Sequence, residues 1–161
     1  MKPTDMWLLA LDIDGTITDK YQKISMHAIR AIRLAMRHGG KVILVSARPY
    51  FVVEALSTYL GLGRSFIAEN GAAVSINGER FLWGDISKAR EALEWLRKNG
   101  LELKELENNR CRLGDLAVVR PPDPEGVKLA ARIKALLVKS GLDVKSYDTS
   151  YAIHLVDGRV D

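Results

Sequence analysis

Short apolar runs and longer 3.6-residue stripes alternate along the first half of the chain. Leu8-Leu9-Ala10-Leu11 is one apolar run, and Lys41-Val42-Ile43-Leu44-Val45, rich in β-branched residues, is another; both predict buried strands. Between them Ala28, Ile29, Ile32, Ala35 and Met36 recur at the i, i+3, i+4, i+7 spacing of one helix face. Ser25 is placed to cap that helix, and Gly39-Gly40 to stop it. Strand, helix and strand at this spacing predict a right-handed βαβ unit with a parallel sheet. A second helix is predicted over residues 51–60, entered through Pro49 and ended by Gly61. Phe66-Ile67-Ala68 predicts a brief third strand. Ala73-Val74-Ser75-Ile76 and Arg80-Phe81-Leu82-Trp83 then flank Asn77-Gly78-Glu79, a hairpin signal.

The pattern changes near Gly84. Residues 87–98 place Ala89, Leu93 and Leu96 on one helical face, closed by Asn99-Gly100. Leu116-Ala117-Val118-Val119 predicts a strand that ends at Pro121-Pro122. Residues 124–140 predict a helix with Val127, Ala130, Ala131, Ile133, Leu136 and Leu137 facing inward. Leu142-Asp143-Val144 and Tyr151-Ala152-Ile153-His154-Leu155-Val156 supply two more strands. The expected class is α/β: a Rossmann-like parallel sheet, with a small α+β unit inserted after the hairpin and no repeats or low-complexity linker.

Length and composition narrow the function. With 161 residues the chain suits one ordinary domain, or two small ones sharing a boundary. A net charge of +4, dispersed over amphipathic helices, argues for solvated faces and against nucleic acid, while it suits an anionic substrate. The single Cys111 excludes an internal disulfide framework and fits a reducing compartment. It has no His or Cys at metal spacing and is expected to be a small packing residue. No apolar stretch approaches a membrane span, and Met1-Lys2-Pro3-Thr4-Asp5 lacks the apolar core of a signal peptide. The expected location is the cytoplasm, with neither nucleic acid nor membrane as a partner.

The first strand runs into Asp12-Ile13-Asp14-Gly15-Thr16. Strand side chains alternate, so Asp12 and Asp14 tend to share a face. Like charges that close need a compensating cation or a shared proton, and for oxygen ligands Mg²⁺ is the natural cation. Gly15 lets the backbone turn and bring amides near an anion; the bland alternative is ordinary Asp-Gly turn chemistry. Ser46-Ala47-Arg48 follows the second strand, where a hydroxyl and exposed amides can hold a phosphoryl oxygen, although capping of the next helix would also explain Ser46. Arg110 and Arg112 are candidates to clamp a substrate carboxylate, with solvated surface arginines as the alternative. His154, between apolar neighbours, is read as a satisfied structural histidine, and His27 and His38 as surface residues.

The D-x-D-G-T strand end resembles the first motif of the haloacid dehalogenase-like (HAD) hydrolases. The resemblance extends in order through the I-S-x-x-A-I helix start at Ile24, Ser46, and Glu69-Asn70-Gly71, which is similar to the E-N-G of the Cof-type branch. Within that branch the layout is most similar to the archaeal phosphoglycolate phosphatases. The resemblance implies that Asp12 is the nucleophile and Asp14 the general acid/base. It further implies that both serve Mg²⁺ (Asp14 through its main-chain carbonyl), that Ser46 and Ala47 bind phosphate, and that Asn70, Arg48, Arg110 and Arg112 contact substrate. The chemistry agrees: a carboxylate can attack a phosphorus whose charge is neutralised, and a neighbouring acid can serve the leaving oxygen and then water.

The implied organisation is the front part of a HAD core over residues 1–83, a cap over 84–157, and a return toward the core at 158–161. The family's third motif, a Lys, and its fourth, an acidic Gly-Asp-x-x-Asn-Asp-like strand end, are absent from these 161 residues. The chain is therefore expected to be the front part of a longer protein, the alternative being a truncated form. By itself it is expected to be catalytically dead or nearly so, and to self-associate. The function implied is Mg²⁺-dependent hydrolysis of a small phosphate monoester, phosphoglycolate being the best guess, in a protein that forms a homodimer. The alternatives are a broad sugar-phosphate phosphatase and a non-catalytic phosphate-binding module.

Overall fold

The computed structural model describes residues 7–149 and 151–160; the expectations for residues 1–5 and for Asp161 lie outside the described residues. Strand β1 (Leu8–Leu11) pairs in parallel with β2 (Lys41–Leu44), Leu8 opposite Lys41 and Leu11 opposite Leu44. They are joined by α1 (Met26–Arg37), whose first turn is capped by Ser25 Oγ accepting from the His27 amide at 3.2 Å. The predicted stripe of α1 is the one that packs: Ile32 is buried, with Ala28, Ile29, Ala35 and Met36 against the same cluster. Helix α2 (Tyr50–Leu60) ends at Gly61, whose φ of 71° is the left-handed conformation a helix stop favours. Strand β3 (Phe66–Ala68) joins the parallel sheet through one bridge, Val45 to Ile67, and then pairs antiparallel with β4 (Ala73–Ile76).

The second half builds its own antiparallel sheet. Helix α3 (Ile86–Lys98), capped by Asp85 accepting from the Ser87 amide, and α4 (Glu125–Ser140) pack on strands β6 (Asp115–Val119), β7 (Val144–Asp148) and β8 (Ala152–Asp157), in the order β6-β8-β7. All six residues of the central β8 are buried. Leu93, Leu96, Leu116, Ile133, Leu137, Ile153 and Leu155 form its core, separate from the cluster of Ile17, Leu44, Val53 and Phe66 in the first half.

Several expectations are corrected. The hairpin turn holds only Asn77 and Gly78, both left-handed, and Glu79 opens β5 (Glu79–Leu82) opposite Ile76. A two-residue loop of this kind matches strand twist. Strand β1 is half-exposed rather than buried, with Leu8 at 61%, because β2 is its one ladder partner among the described residues. Strand β7 lies over Val144–Asp148, not residues 142–144; pairing with β8, not apolar content, makes it a strand. Tyr151 precedes β8 rather than opening it. On α4 the expected Ala130, Ile133, Leu136 and Leu137 pack inward together with Leu129, whereas Val127 and Ala131 are exposed on the outer face. Cys111 is exposed at the end of a short turn, so it is not a packing residue.

Candidate active site

Three strand ends meet at one cavity of about 620 Å³. At the end of β1 the turn Ile13–Ile17 is pinned by its apolar members, since Ile13 and Ile17 are buried in the first core. Gly15 has φ 80°, and the Thr18 hydroxyl both accepts from its amide (3.2 Å) and donates to the Ile13 carbonyl (3.1 Å). Anchored in this way, the turn leaves Asp12 exposed and Asp14 partly buried, both lining the cavity.

The β2 end lies beside it, because the Val45 amide continues the parallel ladder to the Leu11 carbonyl at 2.8 Å. Ser46, Ala47 and Arg48 therefore face the acid pair across one strand spacing. The Ser46 hydroxyl accepts from the Arg48 amide at 3.2 Å. The Arg48 guanidinium grips Asp14 with two bonds, Nε to Oδ2 at 2.9 Å and Nη2 to Oδ1 at 2.7 Å, the planar fork that arginine offers a carboxylate. The bond to Asp14 holds the Arg48 pKa above its ordinary value, although partial burial pulls the other way.

The third corner follows β3. Glu69 and Asn70 adopt consecutive left-handed conformations, φ 53° and 56°, each costing on the order of 1 kcal/mol or more for a residue with a side chain. The buried Glu69 carboxylate accepts three amides: Tyr50 at 2.9 Å, and Leu113 and Gly114 at 2.8 Å each. The turn thus fastens the second half to the first, and it turns Asn70 toward the cavity.

Asn70 Nδ2 donates to Asp115 Oδ2 at 2.9 Å. Asp115, fully buried at the start of β6, also accepts from Arg112 Nη1 at 2.6 Å and from His154 Nδ1 at 2.9 Å, and Arg112 Nη1 reaches back to the Ala47 carbonyl at 3.1 Å. Burial pushes the Asp115 pKa up, but the His154 bond and the Arg112 charge outweigh it and keep the group below the usual carboxylate range. Of the residues singled out in the sequence, Asp12, Asp14, Ser46, Ala47, Arg48, Asn70 and Arg112 line the cavity together. Arg110 is exposed and does not line it. His154 is satisfied by Asp115, as expected of a structural histidine, and also faces the cavity. Asp115 is not among those residues, although an acid that opens an apolar strand directly after Gly114 breaks the surrounding pattern as Asp12 does at the end of β1.

The family model for a haloacid dehalogenase-like hydrolase matches residues 9–111. The chain belongs to the haloacid dehalogenase-like hydrolases. Among curated relatives it is 36% identical over 156 residues to the phosphoglycolate phosphatase of Methanothermobacter thermautotrophicus, covering 97% of this chain and 66% of that one. It is 33% identical to the phosphoglycolate phosphatase of Methanoculleus marisnigri, covering 91% of this chain and 62% of the relative. The chain therefore spans just under two thirds of the length of the curated relatives it matches. A Thermoplasma acidophilum crystal structure superposes with a TM-score of 0.81 at 26% identity, over 97% of this chain and 66% of that chain. The segment that marks the chain as a haloacid dehalogenase-like hydrolase carries Asp12, Asp14, Ser46 and Asn70 but stops before Arg112, Asp115 and His154.

No helix among the described residues is long and apolar enough to cross a membrane. Nor do the described residues gather three or more His, Cys, Asp or Glu into a group that could hold a metal.

Proposed function

We propose that the protein is a phosphoric monoester hydrolase acting through an aspartyl-phosphate, with a small phosphorylated acid, phosphoglycolate first, as substrate. The observation that carries this reading is the Asp12–Asp14 turn at the end of β1 facing the Ser46–Arg48 loop across a parallel pair, in one cavity. The phosphoglycolate phosphatases among its relatives support the substrate. In this reading residues 1–83 are the front of the core and 84–157 the cap, in keeping with the two separate apolar clusters. The exposed Cys111 thiol is consistent with a reducing cytoplasm.

Asp12, exposed to the cavity and engaged by no other side chain among the described residues, is free to attack phosphorus. The Ser46 hydroxyl and the Ala47 amide hold phosphoryl oxygens. Asp14 takes up a proton from solvent once Arg48 has released it, gives that proton to the leaving oxygen, and then takes one from the attacking water. It must first leave Arg48, and an incoming phosphate dianion is the competitor for which that guanidinium would exchange it. Asp12 and the Asp14 carbonyl would contribute oxygens to Mg²⁺, an ion commonly bound by one or two protein carboxylates together with substrate phosphate and water; these two oxygens alone are too few to hold it tightly. When bound, the metal supplies charge neutralisation at the phosphoryl oxygens.

The test is phosphate release by the full-length protein from a panel of monoesters, with and without EDTA. Release from phosphoglycolate that EDTA abolishes is expected; turnover indifferent to EDTA would overturn the proposed metal dependence. The cavity is roomy for a two-carbon acid, which favours a broader sugar-phosphate phosphatase as the second reading. Sugar phosphates turned over faster than phosphoglycolate would establish it.

A further inference from the structure

The cap wall of the cavity holds polar groups that the phosphate chemistry leaves unused. His154 sits within β8, 3% exposed, flanked by the buried Ile153 and Leu155. Its Nδ1 is committed to Asp115, whereas its Nε2 makes no hydrogen bond among the described residues, and the ring lines the cavity. Arg112 is also nearly sealed, its side chain 3% exposed. Its Nη1 is shared between Asp115 and the Ala47 carbonyl, and its Nε is a buried donor with no partner. A buried donor left unsatisfied costs about 1–3 kcal/mol, so a fold that keeps one beside a cavity has a use for it.

Arg112 and His154 take opposite oxygens of one carboxylate. Asp115 therefore fixes two nitrogen groups at one point on the wall, balances the arginine charge, and orients the ring so that its free edge lies toward the ligand. An anion placed there meets the guanidinium and the Nε2 edge of the imidazole, a donor whenever the ring carries both protons. The phosphate end is already provided for by Ser46, Ala47 and Arg48 on the core side of the same cavity.

We infer that Arg112 and His154, held by Asp115, form the subsite for a substrate carboxylate, which makes them the groups that select phosphorylated acids over neutral phosphate esters. This rests on the phosphatase reading for the other end of the ligand. It assigns a binding role to His154 and a positioning role to Asp115, both of which a purely structural account would treat as packing and joint.

The test compares phosphoglycolate with ethyl phosphate, which carries the same phosphate but no carboxylate, by titration calorimetry of the full-length protein in EDTA. His154→Asn keeps an amide donor where Nδ1 meets Asp115 and removes the free ring edge. Arg112→Lys keeps the charge beside Asp115 and removes the Nε donor. In wild-type protein phosphoglycolate is expected to bind more tightly than ethyl phosphate, and each variant should reduce that preference about tenfold, the value of one charged hydrogen bond. Melting curves identify any variant that has lost its fold, and the other variant then decides. An unchanged ratio in the folded variants, or a wild-type protein without preference for phosphoglycolate, overturns the assignment. The two readings fail separately. Turnover of both esters without carboxylate preference removes the subsite and leaves the phosphatase. Carboxylate-selective binding without turnover of any ester removes the phosphatase and leaves the subsite.

Discussion

The two halves of the molecule treat their polar groups in opposite ways. In the first half Asp12, at the end of β1, is exposed and has no hydrogen-bonded side-chain partner among the described residues, while Asp14 beside it is partly buried and held by Arg48. Beside them β1 presents Leu8, and α1 presents Met26 and Leu34, to the outside. In the second half β8 is buried along its whole length, and two acids of its sheet are enclosed: Asp115 of β6 by Asn70, Arg112 and His154, and Asp157 of β8 by Lys88 and Arg159. The lesson is one of division. The first half leaves the Asp12 side chain without a hydrogen-bonded partner at the cavity among the described residues, and the second half ties Arg112, Asp115 and His154 into one bonded network.

The sharpest break in that contrast is at Asp12. Asp12→Asn should lower phosphate release by about four orders of magnitude or more, as loss of a nucleophile does, while the melting temperature stays within about 2 °C because no partner is lost. A variant near the wild-type rate would move the chemistry elsewhere. Next comes Asp115→Ala, which leaves the Arg112 charge buried and unpaired; the expected loss is about 3–5 kcal/mol of unfolding free energy, measured in denaturant. A loss under about 1 kcal/mol would mean that the second half is not the rigid partner.

Acid should discriminate the halves more gently. Arg159 holds Asp157 well below the usual carboxylate range, helped by Lys88 against the effect of burial, and Asp115 is lowered as well. Groups lowered in the fold add stability above their unfolded values near 3.9, and that stability fades as the pH falls below about 4 toward their folded values. Hydrogen exchange between pH 5 and 2.5 should show β6 and β8 losing protection with acid, and Asp157→Asn should flatten the dependence. The smallest effect belongs to Leu8→Ser: a stability change within about 0.5 kcal/mol, with reduced self-association by light scattering. A larger loss of stability would show that the β1 edge is covered in solution.

What the sequence disclosed was local. Ser25, Gly61 and Asn77-Gly78 act within a few residues of themselves, and their helix and turn boundaries stand within a residue or two. The stretch from Asp12 to Thr16 was visible because acids at the end of an apolar run violate the pattern around them. Strand β7, Val-Lys-Ser-Tyr-Asp, has no apolar signal, and it exists because β8 supplies its hydrogen bonds. On α4 an apolar residue can stand on either face, and packing on the sheet takes Leu129 inward while it leaves Val127 and Ala131 outside. The meeting of Asn70, Asp115 and His154 spans 45 and 39 residues and depends on the register that sets Ala117 opposite His154, which no window of sequence contains.

Glu69 has a consequence for how such molecules diversify. Its carboxylate binds the second half through the amides of Leu113 and Gly114, so it reads main chain and is indifferent to the side chains those positions carry. The one demand on identity is Gly114, where a Cβ would come within 2.8 Å of the Ala72 Cβ. A fastening of this kind works as a standard fitting. The second half can drift, lengthen or be exchanged over the same base, provided it offers two consecutive amides and a glycine, while the strand ends that carry Asp12, Asp14 and Ser46 stay as they are.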